Sequence, residues 1–321
     1  MKRLQNRIAE NGLVLPVMSA YGIAIWLAAG LVNYVLWPQL VCFVLSVYMI
    51  AEMNNAYSLL RVRSRMVSGV FIALTCTMSF MFSGLPGALT QLFAIVSLLL
   101  LLSTYQDKKS LGRIFYAFLL FGLCSILCVD ILLFVPLLWL LMLTQLQSLS
   151  WRGFFASLIG LATPYWFFSL WFVWQRDFTP LADHFRSLAT FMPLSEAYAT
   201  VTICKLLTFV LTAALTLTGI VHFWNHSIDE KIRTRLFYGL FTWMSAMSLL
   251  LTALQPQLFD PMMRIAVVCA SPLVAHFLTL TSTRITNIAF FAIVAVTVAV
   301  TIATLILNPI TLPFSLLTPI S

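Results

Sequence analysis

The chain has 321 residues, of which 61% are apolar and 9% charged, with a net charge of +8. Soluble proteins carry roughly 25% charged residues, so this composition excludes an ordinary soluble domain. A bilayer core takes about 20 apolar residues per helix, which leaves room for about eleven crossings and short connectors. The basic residues sit in small groups between apolar runs, a distribution that orients membrane helices and argues against a nucleic-acid surface.

The pattern predicts an all-α fold, a polytopic transmembrane helical bundle forming a single integral membrane domain over residues 1 to 321. Lys2, Arg3 and Arg7 open the chain, and the apolar run that follows is too long for the core of a signal peptide, so it reads as a retained first span. Apolar runs place spans at 13 to 36, 38 to 53, 66 to 83, 88 to 104, 114 to 129, 131 to 147, 153 to 174, 203 to 223, 236 to 254, 262 to 281 and 286 to 307. Threading these eleven segments back and forth puts fourteen of the eighteen Lys and Arg residues on one side and leaves Arg176, Arg186, Lys205 and Arg264 on the other. The positive-inside rule then predicts a cytoplasmic N-terminus and an extracytoplasmic C-terminus. The tail, residues 308 to 321, carries Pro309, Pro313 and Pro319 and no charge, so it is expected to leave the last helix and lie at the outer interface.

Polar chemistry along the chain is sparse. On the inner side Arg61 and Arg65 follow Glu52, Asn54 and Asn55. If a helix continued through them they would share a face suited to a lipid phosphate or diphosphate headgroup; otherwise they serve to fix topology. Spans 114 to 129 and 131 to 147 meet almost without a loop, which predicts a tight hairpin with Asp130 at its outward tip, as an acid or base or as the N-cap of the helix from Ile131. The next span carries Gly153, Ala156, Ser157, Gly160 and Pro164, small residues at helical spacing that predict close contact with a neighbouring helix.

The longest connector, 175 to 202, is extracytoplasmic in this threading, and loops of that length without a role are uncommon. Thr179 and Pro180 make a helix start, and Leu181, Phe185, Leu188 and Met192 recur at helical spacing, predicting a short amphipathic helix in the membrane interface. Asp260 precedes Pro261 and is spaced to cap a helix and to pair with Arg264. The outer face thus offers Asp130, Asp183 and His184 as acid/base candidates, and Arg176, Arg186, Arg264 and Asp260 as contacts for a substrate phosphate. Solvated charges, helix caps and an interfacial anchor are the competing reading of the same residues.

His222 and His226 have the spacing of two metal ligands on a helix, but no HExxH glutamate separates them and no metal site is assigned. His276 lies inside a span, where an imidazole must find a partner. The six cysteines lack CxxC spacing and read as packing residues. No Walker loop and no GxSxG is present, and no cofactor is implied. Charged residues enter the spans only near their ends, which argues against ion-coupled transport.

Residues 52 to 65 (EMNNAYSLLRVRSR) and 151 to 166 (WRGFFASLIGLATPYW) resemble an uncharacterised family of integral membrane proteins from Bacteroidota, which implies a bacterial inner membrane. The short outward hairpin, the span holding Pro164, Tyr165 and Trp166, and the long outer loop after it are similar to parts of the C-type membrane glycosyltransferase superfamily. Members of that superfamily carry an acid in the first outer loop; here that loop, Asn33 to Gln39, has none. The expected function is action at the extracytoplasmic face on a lipid or lipid-linked substrate of envelope glycan assembly, with membrane lipids as partners. The alternatives are a noncatalytic subunit held by membrane-protein partners in a secretion or biogenesis complex, and a facilitative transporter, which would need a continuous polar path.

Overall fold

The computed structural model describes residues 7–9, 11–62, 64–190, 192–281 and 283–307; Lys2, Arg3, Arg63 and the tail 308–321 lie outside them. Among the described residues the chain is helical, without strands. The helices are α1 (Val14–Ala28), α2 (Trp37–Tyr57), α3 (Met66–Cys76), α4 (Leu85–Leu102), α5 (Leu111–Leu127), α6 (Phe134–Thr144) and α7 (Trp151–Gln175). They continue with α8 (Thr179–Ser187), α9 (Leu194–Ala199), α10 (Ile203–His226), α11 (Ile232–Leu254), α12 (Phe259–Leu280) and α13 (Arg284–Leu307). Seven of these segments are long and apolar enough to cross a membrane, namely α2, α4, α7, α10, α11, α12 and α13. Helices α1, α3, α5 and α6 are apolar but shorter.

The short helices have identifiable causes. The run 13 to 36 is not one helix: α1 stops at Ala28 because Gly30 takes a left-handed conformation, φ 90°. Leu31 N–H bonds to Trp26 O and Gly30 N–H to Leu27 O, the paired bonds of a Schellman motif, and Leu31 packs with Trp26. Helix α6 starts only at Phe134, after a 3₁₀ turn at Val129–Leu133. Pro136 lacks an amide hydrogen and clashes with the carbonyl a turn earlier, so the α-helix cannot extend back through Ile131. Helix α3 is followed by a second 3₁₀ turn, Ser79–Met81, after Thr77 turns its hydroxyl back onto Leu74 O.

Counting Val129–Thr144 as one segment, eleven apolar helical segments lie among the described residues, seven of them of membrane-crossing length and four shorter. One end holds Asp130, Asp260 and residues 175–202; we call it the Asp260 end. The opposite, Glu230 end gathers Arg61, which pairs with Glu230, and Arg233, which lies over the rings of Tyr57, Tyr105 and Phe237. Arg113 belongs there too, bonding Ser103 O. Three of the connectors expected to share a side, those holding Arg61, Arg113 and Arg233, are gathered here.

Helix α12 is the axis of the bundle. It packs against α3, α4, α10 and α11, and nine-tenths of its apolar window is buried. Close approach is set by missing side chains: a Cβ on Gly219 of α10 would lie 2.8 Å from Leu273 O of α12. The same holds for α5 on α7, where a Cβ on Gly160 would meet Phe115 O at 2.5 Å and one on Gly122 would meet Leu161 O at 2.7 Å. The contact expected from the small residues of the 153 to 174 span is present. Helix α13 is mostly exposed and docks through a threonine face, with Thr301 accepting from Tyr21 and Thr304 facing Ser79.

Candidate functional site

At the Asp260 end, the first turns of α12 place a charge inside the bundle. The Arg264 side chain is 7% exposed, and its Nε donates to Asp260 Oδ1 at 2.6 Å, four residues back and half exposed. Nη1 donates to Gln91 Oε1 at 3.2 Å on α4, and Nη2 to Met81 O at 2.7 Å in the 3₁₀ turn after α3. Gly87 makes room: a Cβ there would stand 2.6 Å from Arg264 Nε. The expected Asp260–Arg264 pair is present, whereas the cap is not. Helix α12 starts from Leu258 without a side-chain cap, and Asp260 sits within its first turn.

Asp130 lies in the 3₁₀ turn Val129–Leu133, half-buried, and that turn also starts without a side-chain cap. Its expected alternative role as an N-cap is thus corrected, because the 3₁₀ turn begins from extended Cys128 instead. The turn packs against both α8 and α12. Asp130, Asp260 and Arg264 all act electrostatically on Cys128, so the two carboxylates share one neighbourhood. His184 lies close enough to the Asp130 carboxyl to act on it electrostatically.

The connector 175–202 forms a strap with two helices: α8, which holds Leu181 and Phe185 of the expected amphipathic helix but ends at Ser187, short of Leu188 and Met192, and the additional α9. Arg176 ends α7 in a left-handed conformation, φ 55°, and the exposed Asp177 accepts from the Thr179 hydroxyl and from Thr179 N, which together hold its pKa below the ordinary value. His184 anchors the strap: its Nε2 contacts Ser125 O at 3.0 Å and the Tyr165 hydroxyl, which itself donates to Ser125 Oγ. Asp183 and Arg186 face solvent and pair with each other at 3.1 Å. On the other side, Gln255 and Gln257 donate to Met192 O and Thr190 O, and Tyr198 donates to Ala253 O. The structure therefore brings Asp130, His184, Asp260 and Arg264 to one region and leaves Asp183, Arg186 and Arg176 on the strap's exposed surface.

At the Glu230 end the helix does not continue through Arg61 and Arg65: α2 stops at Tyr57, where Ser58 is left-handed, so the shared-face premise does not hold. Arg61 bonds Glu230 Oε1 at 2.8 Å, and Arg65 bonds Asn55 Oδ1 at 3.3 Å. Glu230 is buried, and its Oε1 also faces His276 Nε2 at 3.4 Å, while His276 Nδ1 meets His222 Nδ1 at 3.3 Å. His276 has the partners its place in a span demanded. His226 stacks on His222 and contacts His222 O through Nδ1.

Sequence reasoning overlooked Gln39, Gln91 and Trp26. They line a narrow crevice below Arg264, together with Ser46, Thr75 and Phe82. The available signal was amides inside apolar runs, as Gln91 sits in ALTQLFAIV. Comparison with protein-family models, curated proteins and solved structures gives no match to this chain.

Proposed function

We propose that the chain crosses a bacterial inner membrane eleven times, with its N-terminus in the cytoplasm and its C-terminus outside. In this reading it acts at the extracytoplasmic face on a lipid-linked substrate of envelope glycan assembly. The observation that carries the reading is Arg264, a cation buried in an apolar bundle beneath Asp260 and beside the turn that holds Asp130. A charge at such depth is expensive, and intramembrane charges are functional far more often than not. Arg264 is suited to the phosphate of a lipid-linked donor, and Asp130, half-buried beside His184, to proton transfer. In a glycosyl transfer, Asp130 takes the acceptor hydroxyl's proton as the new C–O bond forms, and the lipid phosphate leaves with the electron pair of the bond that breaks.

The orientation rests on the charge asymmetry of the connectors. The buried polar groups of α12 speak against a transporter: Arg264 and His276 are about 18 Å apart along the helix, with apolar turns between them. The test replaces Asp130 by Asn and Arg264 by Met in cells and follows envelope glycans alongside protein level. Loss of glycan at normal protein level is expected. Unchanged glycans would reject the catalytic reading, and a stoichiometric partner retained in mild detergent would then favour the subunit reading.

A further inference from the structure

At the Glu230 end, the connector from α4 to α5 and the connector from α6 to α7 stand side by side. Gln106 N–H bonds Leu146 O at 2.8 Å, and Ser150 Oγ bonds Lys108 O at 3.4 Å. Between them opens a hollow of about 720 Å³, lined by Gln106, Asp107, Lys108, Lys109, Leu143 and Gln147. Small-molecule sites typically measure about 300 to 1,000 Å³, so the hollow has room for a lipid headgroup.

Its positive charge is uncommitted. Asp107 Oδ1 accepts from Lys109 N–H at 3.0 Å and Oδ2 pairs with Arg113 at 3.6 Å, which turns the one carboxylate of the hollow away from the lysine side chains. Lys108 and Lys109 are exposed and form no ion pair among the described residues. The arginines around them are engaged otherwise: Arg61 with Glu230, Arg65 with Asn55, and Arg233 over three aromatic rings. Gln106 and Gln147 both take left-handed backbone, φ 55° and 52°, which costs a residue with a Cβ, and their amides meet only at 3.4 Å. Each amide keeps donors and an acceptor for a hydroxyl. On the apolar side, Leu143 is joined by Leu140, a turn back on the same face of α6, and both are more than half exposed. Interfacial lysines by themselves only orient helices. Here the lysines and amides surround a hollow that continues into an apolar strip, the same order of groups as in a phospholipid.

We propose that this hollow binds an anionic phospholipid whose headgroup carries hydroxyls. Lys108 and Lys109 take the phosphate as point charges, Gln106 and Gln147 bond the headgroup hydroxyls, and Leu140 and Leu143 lie along an acyl chain. The site is at the opposite end of the bundle from Asp260 and stands whether or not the outer-face reading does.

The full chain, delipidated in a maltoside detergent, is tested by thermal unfolding against three probes: short-chain phosphatidylglycerol, phosphatidylcholine with the same chains, and glycerol 3-phosphate. Phosphatidylglycerol is expected to raise Tm, and the other two to leave it unchanged at the same concentration. The double variant Lys108→Gln/Lys109→Gln should keep the lipid-free Tm, since neither ammonium holds structure, and should need about tenfold or more phosphatidylglycerol for the same rise. Lys231→Gln/Arg235→Gln removes as much charge from the same end outside the hollow and should respond like the parent. The parent alone already decides the matter: no rise with phosphatidylglycerol, or an equal rise with phosphatidylcholine, overturns the proposal. An equal rise with glycerol 3-phosphate rejects the lipid as ligand, and an equal loss in the two double variants reduces the effect to net charge and rejects the site.

Discussion

A carboxyl and a guanidinium a few residues from solvent are held differently here. Arg264 has three protein partners, while Asp130, half-buried, has the backbone of its own turn and the nearby His184 and caps no helix. Burying a carboxylate costs more than burying the amide of the same shape, so Asp130→Asn should unfold at an equal or higher temperature than the parent at pH 7. The free cysteines, five of them buried, report unfolding directly through a thiol-reactive dye. An Asn variant that is less stable at neutral pH would mean the carboxylate holds structure. Gly87 offers a second residue-level test: Gly87→Ala should lose about 1 to 3 kcal/mol by pushing Arg264 off α4, whereas Gly112→Ala, with nothing within 4 Å, should be tolerated. Equal tolerance at both positions would contradict the packing of the guanidinium. Individual residues were the least legible part of the sequence. The Asp260–Arg264 pair is local and readable by spacing, but the bond from Arg264 to Gln91 spans 173 positions and His276 to Glu230 spans 46, and no periodicity encodes such partners.

Helices were far more legible, because an apolar run bounded by charged connectors must bury or span whatever its exact caps. All eleven expected segments have helical counterparts, and α8 begins at Thr179 as its Thr-Pro start implies. What escaped was backbone irregularity inside apolar runs: the left-handed Gly30 that ends α1, and the 3₁₀ turns before α6 and after α3. Hydropathy is blind to these because an apolar residue reads the same in an α-helix, a 3₁₀ turn or a terminating motif. The helix contacts make their own predictions. In α7, Gly160→Ala would place a Cβ 2.5 Å from Phe115 O, a backbone atom that cannot step aside, so α5 and α7 must separate at a loss of about 1 to 3 kcal/mol. A Tm equal to the parent's would show that the two helices are not held by this approach. Arg176 argues the opposite case. It is a left-handed residue closing α7, with Asp177 N–H bonded to Phe172 O, a position where glycine carries no Cβ penalty. Arg176→Gly should stabilise by about 1 kcal/mol, read as a higher Tm; a lower one would assign the arginine side chain a binding role at the strap.

For the whole molecule the governing quantity is parity. An odd number of crossings would put the two termini on opposite sides, and the charges of the connectors, fourteen basic residues against four, would decide which side faces the cytoplasm. Lys109 and Asp183 are both exposed and are separated by α5, α6 and α7, three segments, so they must lie on opposite sides of the membrane if each segment crosses. The weakest crossing among them is α6. Its α-helical part is 11 residues, about 16 Å, and it reaches across only with the 3₁₀ turn Val129–Leu133 ahead of it. Single cysteines at Lys109 and Asp183, introduced after replacing the half-buried Cys128, can be challenged in whole cells with a membrane-impermeant maleimide, the other five native thiols being buried. Asp183→Cys should label in intact cells and Lys109→Cys only after permeabilisation. The reverse pattern would invert the protein, turn Asp130, Asp260 and Arg264 toward the cytoplasm and end the outer-face reading. Labelling of both from outside would mean that the α6 segment fails to cross, and the charge asymmetry would then no longer follow from the threading that orients the site.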